Sequence, residues 1–533
     1  MVKLSFYGGQ NEIGGNKILL EGQDTRIFLD FGSSFGTEGK YFDVPFLQPS
    51  TLEDLLAIGA VPDLEGVYKN RGVKCIYDDY GFCGTVGKQE KISINCVLIS
   101  HSHIDHVGYL GLLHPDVKLY GSIVSKTFLA QRREINEDFK LKYDDSSFLS
   151  VEEGQTFQVG GASVKHIGVD HSIPGASAFI IEMDGIKIGY SGDLRLHGRR
   201  PELTENFIAQ AAEARLDYLL CEGTRINSRS QSITNTNQEY TEEEVESRGC
   251  KSEDEVALKV SKIIDESDGI VVYDASPADL DRMEMVIDVA RSKGRHVLID
   301  SRKAFIAKGL NEVTNHYPTL EKFPNCSLLL SRAKTRIKEG NTDPKKYKDD
   351  KKKLEMVIAI REAFDYFPEI YIENRNERNK WEQSIIDHFD NLASQGYPRI
   401  FWGPEMREDI KKNPKDFLIY TSSGPNVLMH LGPVVRGTYI YGKAEPFNEE
   451  MEISFAKLLA WTQLNGMDFE YAHTSGHASY DHLSKIVNTI KPKHLLPIHT
   501  TNARLFETFY ENVHIYENLA KLILNKDAPT QLL

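Results

Sequence analysis

The feature that most constrains this chain is a run of histidines directly after a strand-like segment. Residues 91–100 read Lys-Ile-Ser-Ile-Asn-Cys-Val-Leu-Ile-Ser, which predicts a strand, and residues 101–106 read His-Ser-His-Ile-Asp-His. Three imidazoles and a carboxylate would leave many polar atoms to satisfy in a core, so packing alone does not explain them. In an extended segment His101 and His103 project to one side, and the following turn aims Asp105 and His106 elsewhere. One loop can therefore supply two neighbouring metal positions.

Further candidate ligands stand at the ends of other strand-like runs. His171 lies between two such runs, Asp193 follows the end of a third, and His499 ends a fourth. A lone histidine at a strand end is more often structural than a ligand. Beside the 101–106 cluster these residues favour a site for two metals, because borderline metals prefer histidine nitrogen and carboxylate oxygen.

Composition limits the class of protein. The 533 residues include 63 Lys and Arg against 78 Asp and Glu, a net charge of −15, which argues against a protein that holds polyanions by bulk positive charge. No segment approaches the roughly 18 apolar residues that a membrane span needs, and the N-terminus has no signal-peptide pattern. The six cysteines form no Cys-x-x-Cys pair, which predicts reduced thiols in a cytoplasmic protein.

The order of strand-like and helical segments predicts two kinds of architecture. Strands dominate up to residue 221, residues 227–249 form a polar stretch typical of a surface loop, and from residue 270 strands alternate with helix-length segments, which indicates a parallel sheet. Thr51 and Asp54 predict a helix N-terminus, and the basic run 345–353 is either a solvated helix start or a nucleic-acid contact. The predicted strands are 2–7, 17–21, 26–30, 91–100, 162–167, 177–182, 186–190, 216–221, 270–273, 296–300, 327–330, 369–372, 399–402, 417–420, 438–441, 469–472, 494–498 and 514–516.

These motifs carry a family resemblance. The chain resembles the metallo-β-lactamase superfamily, whose signature is a His-x-His-x-Asp-His loop with further His and Asp ligands. Within that superfamily it is similar to the β-CASP nucleases, and most similar to ribonuclease J. The segments that match are 8–16, 29–32, 101–106, 171–174, 191–193, 221–224, 473–479 and His499.

The resemblance implies an α/β fold, namely a metallo-β-lactamase αββα sandwich with an inserted β-CASP α/β domain whose parallel sheet is flanked by helices. The implied N-terminal part of the metallo-β-lactamase domain is 1–225, with an insertion near 59–90. The implied β-CASP domain is 226–425, and 426–533 would be the C-terminal part of the first domain.

The resemblance also implies two divalent metal ions, zinc before manganese. The implied ligands are His101, His103 and His171 for one ion, Asp105, His106 and His499 for the other, and Asp193 as a bridge. Asp30 would orient the histidine loop from behind rather than bind metal.

The implied catalytic residues are Asp105, Glu222 and His477. Two cations lower the pKa of a shared water and neutralise phosphate oxygens, and His477, hydrogen-bonded by Glu222, would protonate the leaving oxygen. A second interpretation makes His477 only a phosphate-binding donor. The implied substrate-binding residues are Ser422, Ser423, Gly424, His473 and Ser475, although a plain interdomain turn explains 422–424 equally well, and this loop departs from the Gly-Ser-Gln-Gly-Glu type usual in ribonuclease J.

The resulting hypothesis is a metal-dependent ribonuclease, exo- or endonucleolytic or both, acting on single-stranded RNA and able to form a homo-oligomer. In the resemblance, a histidine at the position of His499 accompanies RNA-active members. The alternatives are a DNA or structure-selective nuclease on the same fold, a small-molecule hydrolase, and an RNA-binding scaffold without activity. The large insertion, Glu222 and His477 weigh against the small-molecule hydrolase, and the intact ligand set weighs against the scaffold.

Overall fold

The computed structural model describes most of the chain. The described residues are 1–43, 46–69, 74–77, 83–86, 92–135, 139–226, 249–276, 278–314, 326–330, 334–337, 370–373, 379–394, 400–401, 403–431, 436–444 and 449–532. The polar stretch 227–248, the basic run 345–353 and much of the segment 59–90 lie outside them.

Two sheets form the first module. The first sheet has eight strands, in the spatial order Thr530–Leu532, Lys521–Leu524, Val2–Phe6, Ile18–Glu21, Arg26–Leu29, Cys96–Leu98, Lys118–Ser122 and Phe148–Val151. The second has six, in the order His494–Ile498, Tyr218–Glu222, Ile186–Tyr190, Ser177–Met183, Ala162–Gly168 and Thr156–Val159. Alternating apolar residues of both sheets, such as Leu4, Leu98, Phe179 and Ile188, share one fully buried core, so the sheets pack face to face.

Helices cover the outer faces of this sandwich. Phe28 and Val97 of the first sheet pack with Leu55 and Leu129 on one side, and Leu219 of the second packs in another core on the opposite side. The helices of this module are Phe35–Tyr41, Leu52–Ala57, Ile104–Val107, Ile123–Ile135, Pro201–Ala214 and Tyr480–Ile490, with short 3-10 helices at Leu110–Leu112, Phe139–Leu141, Asp145–Ser147 and Ala503–Thr508. The module is the αββα sandwich that the resemblance implied.

A third sheet belongs to a second module with helices on both faces. Its seven strands are all parallel, in the order Ile400–Phe401, Cys326–Leu329, His296–Asp300, Phe417–Thr421, Ile270–Ala275, Gly437–Gly442 and Met467–Tyr471. The helices are Glu253–Glu266, Leu280–Ser292, Ser301–Asn311, Lys380–Ser394, Gly403–Lys412, Gly424–Leu431 and Glu449–Leu464, with a 3-10 helix at Pro414–Asp416. Two antiparallel pairs complete the described strands, Lys74–Tyr77 with Cys83–Val86 and Lys334–Ile337 with Ile370–Glu373.

The strand pairing in the third sheet indicates where the inserted module ends. Its strands Gly437–Gly442 and Met467–Tyr471 follow residue 425, yet they pair with one another and, through Gly437–Gly442, with Ile270–Ala275. We therefore propose that the inserted module extends to Tyr471, rather than to the residue 425 expected from sequence. The two modules touch where the helices Ile123–Ile135 and Ser301–Asn311 pack together, and the Gln131 Nε2 atom donates to the Phe305 carbonyl oxygen over 2.8 Å.

Three predicted strands differ from the structure. In the described part of the segment 91–100, residues 92–100, the strand is limited to Cys96–Leu98. The neighbouring strand Arg26–Leu29 pairs with it from Ile27, which lies opposite Cys96. Ile370–Glu373 pairs antiparallel with Lys334–Ile337 and is outside the parallel sheet. Residues 514–516 are not a strand, since the edge they would occupy offers only an isolated bridge between Leu495 and Val513.

The predicted helix start at Thr51 is confirmed. The Thr51 Oγ1 atom accepts from the Asp54 backbone N–H, and the Asp54 carboxylate accepts from the Thr51 backbone N–H, which is the reciprocal capping box. Among the described helices, we find none with both the length and the apolar character required to cross a lipid bilayer.

Candidate metal centre

The candidate centre lies where strands of the second sheet end beside the histidine loop of the first. His171, Asp193 and His499 each follow within three residues of a strand's carboxyl end, and Glu222 is the last residue of its strand. The histidine loop leaves the strand Cys96–Leu98 and enters a one-turn helix, Ile104–Val107. Parallel neighbouring strands end at one edge, so residues far apart in the chain converge there.

Three histidines form one half of the cluster. The His103 Nδ1 atom lies 3.1 Å from the Nε2 atoms of both His101 and His171. The Asp193 Oδ2 atom lies 3.6 Å from His101 Nε2 and 3.9 Å from His171 Nε2. Three imidazole nitrogens aimed at one another around a carboxylate oxygen make the geometry of a cation site.

A carboxylate and two histidines form the other half. The Asp105 Oδ2 atom lies 3.1 Å from His499 Nε2 and 3.9 Å from His106 Nε2. Asp193 Oδ2 is also 3.2 Å from His106 Nε2 and 3.8 Å from His499 Nε2. One oxygen of Asp193 therefore stands between the two halves, and all the predicted ligands meet at one place.

Asp30 supports the loop from behind. Its Oδ2 atom accepts from Tyr190 Oη over 2.5 Å and from Ser100 Oγ over 2.7 Å, and it lies 2.7 Å from His106 Nδ1. Its Oδ1 atom accepts from the Ser100 backbone N–H over 2.7 Å. A carboxylate at Nδ1 fixes a ring proton there, so that Nε2 is the His106 nitrogen that faces the cluster. Asp30 has a φ of 56°, a left-handed conformation held by these contacts.

The other two strand-end histidines are fixed in the same way by neutral partners. The His171 Nδ1 atom donates to the Gly476 carbonyl oxygen over 2.5 Å, and His499 Nδ1 lies 2.8 Å from Thr224 Oγ1. Glycine is required at 476, because an added Cβ would lie 2.4 Å from Ser172 Oγ and 2.9 Å from the His171 ring. His499 itself has a φ of 54°. These contacts aim both Nε2 atoms at Asp193.

The residues present fit a divalent metal. His106 Nε2 and Asp193 Oδ1 are buried and have no hydrogen-bond partner of acceptable geometry among the described residues. Buried polar atoms are nearly always satisfied, so two such atoms without a hydrogen-bond partner at the centre of a histidine cluster fit the binding of a cation. Imidazole nitrogens are ligands that transition metals such as zinc prefer, whereas calcium and magnesium prefer oxygen ligands.

Electrostatics divides the two halves. Burial lowers the pKa values of His101 and His171 well below the usual range and lowers that of His103 to about 4. Burial alone would lower the pKa of His106 too, but the carboxylates of Asp193, Asp105 and Asp30 raise it well above its ordinary value. The first half is therefore neutral and ready for a metal, whereas the second half holds a proton that a metal must displace.

Glu222 and His477 lie beside the cluster. His477 Nδ1 is 3.6 Å from Glu222 Oε2 and 3.8 Å from Asp193 Oδ2. The expected hydrogen bond between Glu222 and His477 is not formed at this distance, because the Glu222 oxygens accept from the backbone N–H groups of Thr224 and Ala478. Glu222 is fully buried and the His477 side chain is 20% exposed, so His477 faces the space a substrate would enter.

The predicted substrate-binding residues fall in two places. His473 and Ser475 belong to the segment that carries His477, and Ser475 Oγ accepts from the His477 backbone N–H over 3.1 Å. Ser422, Ser423 and Gly424 lie instead at the carboxyl edge of the third sheet. There Asp300 Oδ2 accepts from Ser422, whose backbone N–H is 2.8 Å away.

Sequence reasoning missed several residues that orient the cluster. Ser100, Thr224 and Tyr190 each hydrogen-bond a predicted ligand or its carboxylate. Thr224 stands two residues after Glu222 and could have been found from that motif. Two buried arginines, Arg195 and Arg282, reach the His477 segment, and an isolated arginine gives no signal in a single sequence.

Comparison with known proteins gives two family matches. Residues 85–245 match the beta-lactamase superfamily domain, which covers the histidine loop, His171, Asp193 and Glu222. Residues 467–515 match the Zn-dependent metallo-hydrolase RNA specificity domain, which covers His477 and His499.

Individual relatives agree with these families. The chain is 28% identical over 212 residues to ribonuclease J of Mycolicibacterium smegmatis, covering 38% of this chain and 33% of that protein. It is 22% identical over 505 residues to ribonuclease J of Helicobacter pylori, covering 93% of this chain and 56% of that protein. The chain thus spans between one third and just over half of the length of these two curated relatives.

One solved structure has the same fold. A protein of unknown function from Enterococcus faecalis superposes with a TM-score of 0.65 at 20% identity, and the match covers 98% of this chain and 100% of that one. At this identity the likeness shows the fold alone.

Proposed function

We propose that this chain, which belongs to the metallo-β-lactamase superfamily and is ribonuclease J-like within it, is a metal-dependent phosphodiesterase that cleaves single-stranded RNA. The observation that carries the proposal is the convergence of seven histidine and aspartate ligand atoms next to His477. The match of residues 467–515 to an RNA specificity domain supports RNA as the substrate. The names of the ribonuclease J relatives support the same activity.

The proposed centre holds two divalent ions, zinc before manganese. When bound, such ions supply a water of lowered pKa and neutralise negative charge that develops on phosphate. The side chains His101, His103 and His171 would hold one ion, and Asp105, His106 and His499 the other, with Asp193 between them. Two bound cations would also place positive charge where a polyanion binds, in a chain whose net charge is −15.

His477 has the proposed role of proton donor to the leaving oxygen. Its side chain is partly exposed beside Asp193, and its Nδ1 atom has no hydrogen-bond partner among the described residues. Glu222 is fully buried, and its Oε2 atom lies 3.6 Å from His477 Nδ1. General acid catalysis of this kind contributes about 10²- to 10⁴-fold.

The test of the activity is direct. We expect the metal-loaded protein to cleave single-stranded RNA labelled at either end, with zinc or manganese, and to cleave a DNA oligonucleotide of the same sequence more slowly. Parallel reactions with 5′-phosphate, 5′-triphosphate and 5′-hydroxyl ends, and with both labels, separate exonucleolytic from endonucleolytic cleavage. Faster cleavage of DNA would favour the alternative of a DNA nuclease on the same fold.

The role of His477 has its own test. We expect His477→Ala to retain the wild-type metal content and to lose RNA cleavage by about 10²- to 10⁴-fold. His114→Ala, at a histidine paired with Asp116 outside the cluster, is the matched control and should cleave normally. Full activity of His477→Ala would remove the proposed acid.

Two further predictions from sequence accompany this proposal. Cys96, Cys221, Cys250 and Cys326 are free thiols, which is compatible with the expected cytoplasmic location. A homo-oligomer remains an expectation that a sedimentation measurement tests.

A further inference from the structure

The segment that carries His477 is tied down by buried arginines from both modules. It runs from the last strand of the third sheet, which ends at Tyr471, into the first module. The carbonyl oxygens of residues 473–476 each accept a hydrogen bond. The Cys250 backbone N–H donates to the His473 carbonyl oxygen, and His171 Nδ1 donates to the Gly476 carbonyl oxygen. The two carbonyls between them are bonded by Arg282 and Arg195.

Arg282 comes from the inserted module. Its Nη2 atom donates to the Thr474 carbonyl oxygen over 3.0 Å, and its Nη1 atom donates to His473 Nδ1 over 2.8 Å. A guanidinium has only donors, so His473 Nδ1 accepts in its contact with Arg282. Arg282 is therefore fixed to two consecutive residues just before the catalytic segment.

Arg195 comes from the first module. Its Nη1 atom donates to the Ser475 carbonyl oxygen over 3.3 Å, next to a second donor, His197 Nε2, at 3.0 Å. Its Nε atom donates to the carboxylate of Asp170 over 3.1 Å. Asp170 immediately precedes His171, so this arginine links the His477 segment to a predicted metal ligand.

Glu253 joins the two arginines. It is the first residue of the helix Glu253–Glu266, it is almost fully buried, and it accepts from Arg195 Nη1 over 3.0 Å and from Arg282 Nε over 3.1 Å, with a further bond from Arg282 Nη2. Buried charges are costly unless they are paired and hydrogen-bonded, so these three side chains are held in one arrangement.

We infer that Arg282, held by Glu253, is a positioning residue for His477, so that the inserted module must be seated for the proton donor to face the metal centre. None of the described hydrogen bonds of Arg282 goes to a predicted metal ligand, and it acts through the Thr474 carbonyl oxygen and the His473 ring. The inference rests on the proposed role of His477 as proton donor, and its test keeps the two apart.

The test compares two phosphodiesters. RNA has a poor leaving group that needs a proton, whereas bis(p-nitrophenyl) phosphate releases a stabilised phenolate that departs without one. We expect Arg282→Gln to lower kcat on RNA about 10²-fold, the lower end of the effect of a general acid, with KM within about threefold. Hydrolysis of bis(p-nitrophenyl) phosphate and the metal content should stay within about threefold of wild type, because the centre itself is intact.

Matched variants make each outcome decisive. Arg291→Gln lies on the same helix with a side chain 46% exposed and should leave both activities unchanged. Glu253→Gln, which keeps the shape of the side chain, should repeat the Arg282→Gln pattern, and it serves as the test if Arg282→Gln does not fold. Equal loss on both substrates, loss of metal, or no loss would each overturn the inference. If His477→Ala itself spares RNA cleavage, the proposed function of His477 fails instead.

Discussion

Two regions of this molecule gather polar side chains at the carboxyl ends of parallel strands, and they differ in which atoms face one another. In the metal centre, imidazole nitrogens face one another, and His106 Nε2 and Asp193 Oδ1 have no hydrogen-bond partner of acceptable geometry among the described residues. At the edge of the third sheet, Asp300 Oδ2 accepts from the Ser422 backbone N–H and hydroxyl and from Thr421 Oγ1.

The lysines at the third-sheet edge are likewise occupied. The buried Lys303 Nζ atom donates to the Ser276 carbonyl oxygen over 2.7 Å, and Lys443 Nζ lies 2.6 Å from Asp274. The helices that follow Asp300 and Thr421 pack on opposite faces of the sheet. A point where the connections after two adjacent parallel strands go to opposite faces is one at which ligands commonly bind. The comparison teaches that position in the fold is not enough. In the candidate metal centre imidazole nitrogens face one another, whereas at the third-sheet edge cationic lysines face oxygen atoms, even where Asp274 Oδ1 lacks a hydrogen bond of acceptable geometry.

The largest expected effect is at the oxygen shared by the two halves. We expect Asp193→Ala to lose bound metal and to lower RNA cleavage by at least about 10³-fold, the scale of removing one preorganised electrostatic contact at the reacting atoms. Elemental analysis of the purified protein and initial cleavage rates measure the two effects. Asp116→Asn, at a carboxylate 69% exposed, is the control. Retention of metal by Asp193→Ala would mean that the unsatisfied atoms do not mark a metal centre.

A smaller loss is expected behind the ligands. Asp30→Asn keeps the shape of the side chain but removes the charge that orients His106, and such changes usually cost about 10- to 100-fold in metal affinity. Titration with a competing chelator measures the affinity, and added metal should restore cleavage. If the affinity is unchanged, then Asp30 supports the fold and not the metal.

The two halves should also differ in their response to pH. The raised pKa of His106 means that a metal in its half displaces a proton near neutral pH, whereas the lowered pKa of His103, about 4, leaves the other half free of protons. On lowering the pH from 8 to 6, we expect affinity at the Asp105 half to fall about tenfold per unit for each proton displaced, while the first half changes little. Stepwise metal release followed by equilibrium dialysis at each pH would separate the halves, and identical release curves would contradict the division.

Much of the metal centre could be predicted because its ligands are local in sequence or stand at strand ends. The 101–106 loop supplies four side chains by itself, and His171, Asp193 and His499 were found from their place after strands. The distance of 3.6 Å between Glu222 and His477 could not be predicted, since it depends on backbone N–H groups of Thr224 and Ala478 that only the folded chain brings to the carboxylate.

The layers of the fold were predicted from the sequence, whereas the end of the inserted module at Tyr471 is our proposal from strand pairing. The strands of the third sheet after residue 425 look the same in sequence as those of the first module, and only their pairing with Ile270–Ala275 assigns them. The network of Arg195, Glu253 and Arg282 spans 280 residues between Arg195 and Ser475, so no local pattern could reveal it.

The smallest effect is expected at the third-sheet edge, at Ser422. If Asp300 already accepts the hydrogen bonds of this loop, then Ser422→Ala should leave RNA cleavage within about twofold of wild type, for 5′-phosphate and 5′-hydroxyl ends alike. The lost hydrogen bond should lower the free energy of unfolding by about 1 kcal/mol. Urea unfolding measures the stability and paired oligonucleotides measure the rates. Ser292→Ala, at a hydroxyl bonded to the Val289 carbonyl oxygen, is the control. A tenfold loss confined to 5′-phosphorylated RNA would show that phosphate competes with Asp300 for the donors of Ser422. Both regions would then be ligand sites. They would differ in that the Asp300 carboxylate accepts the hydrogen bonds at the third-sheet edge when no phosphate is bound.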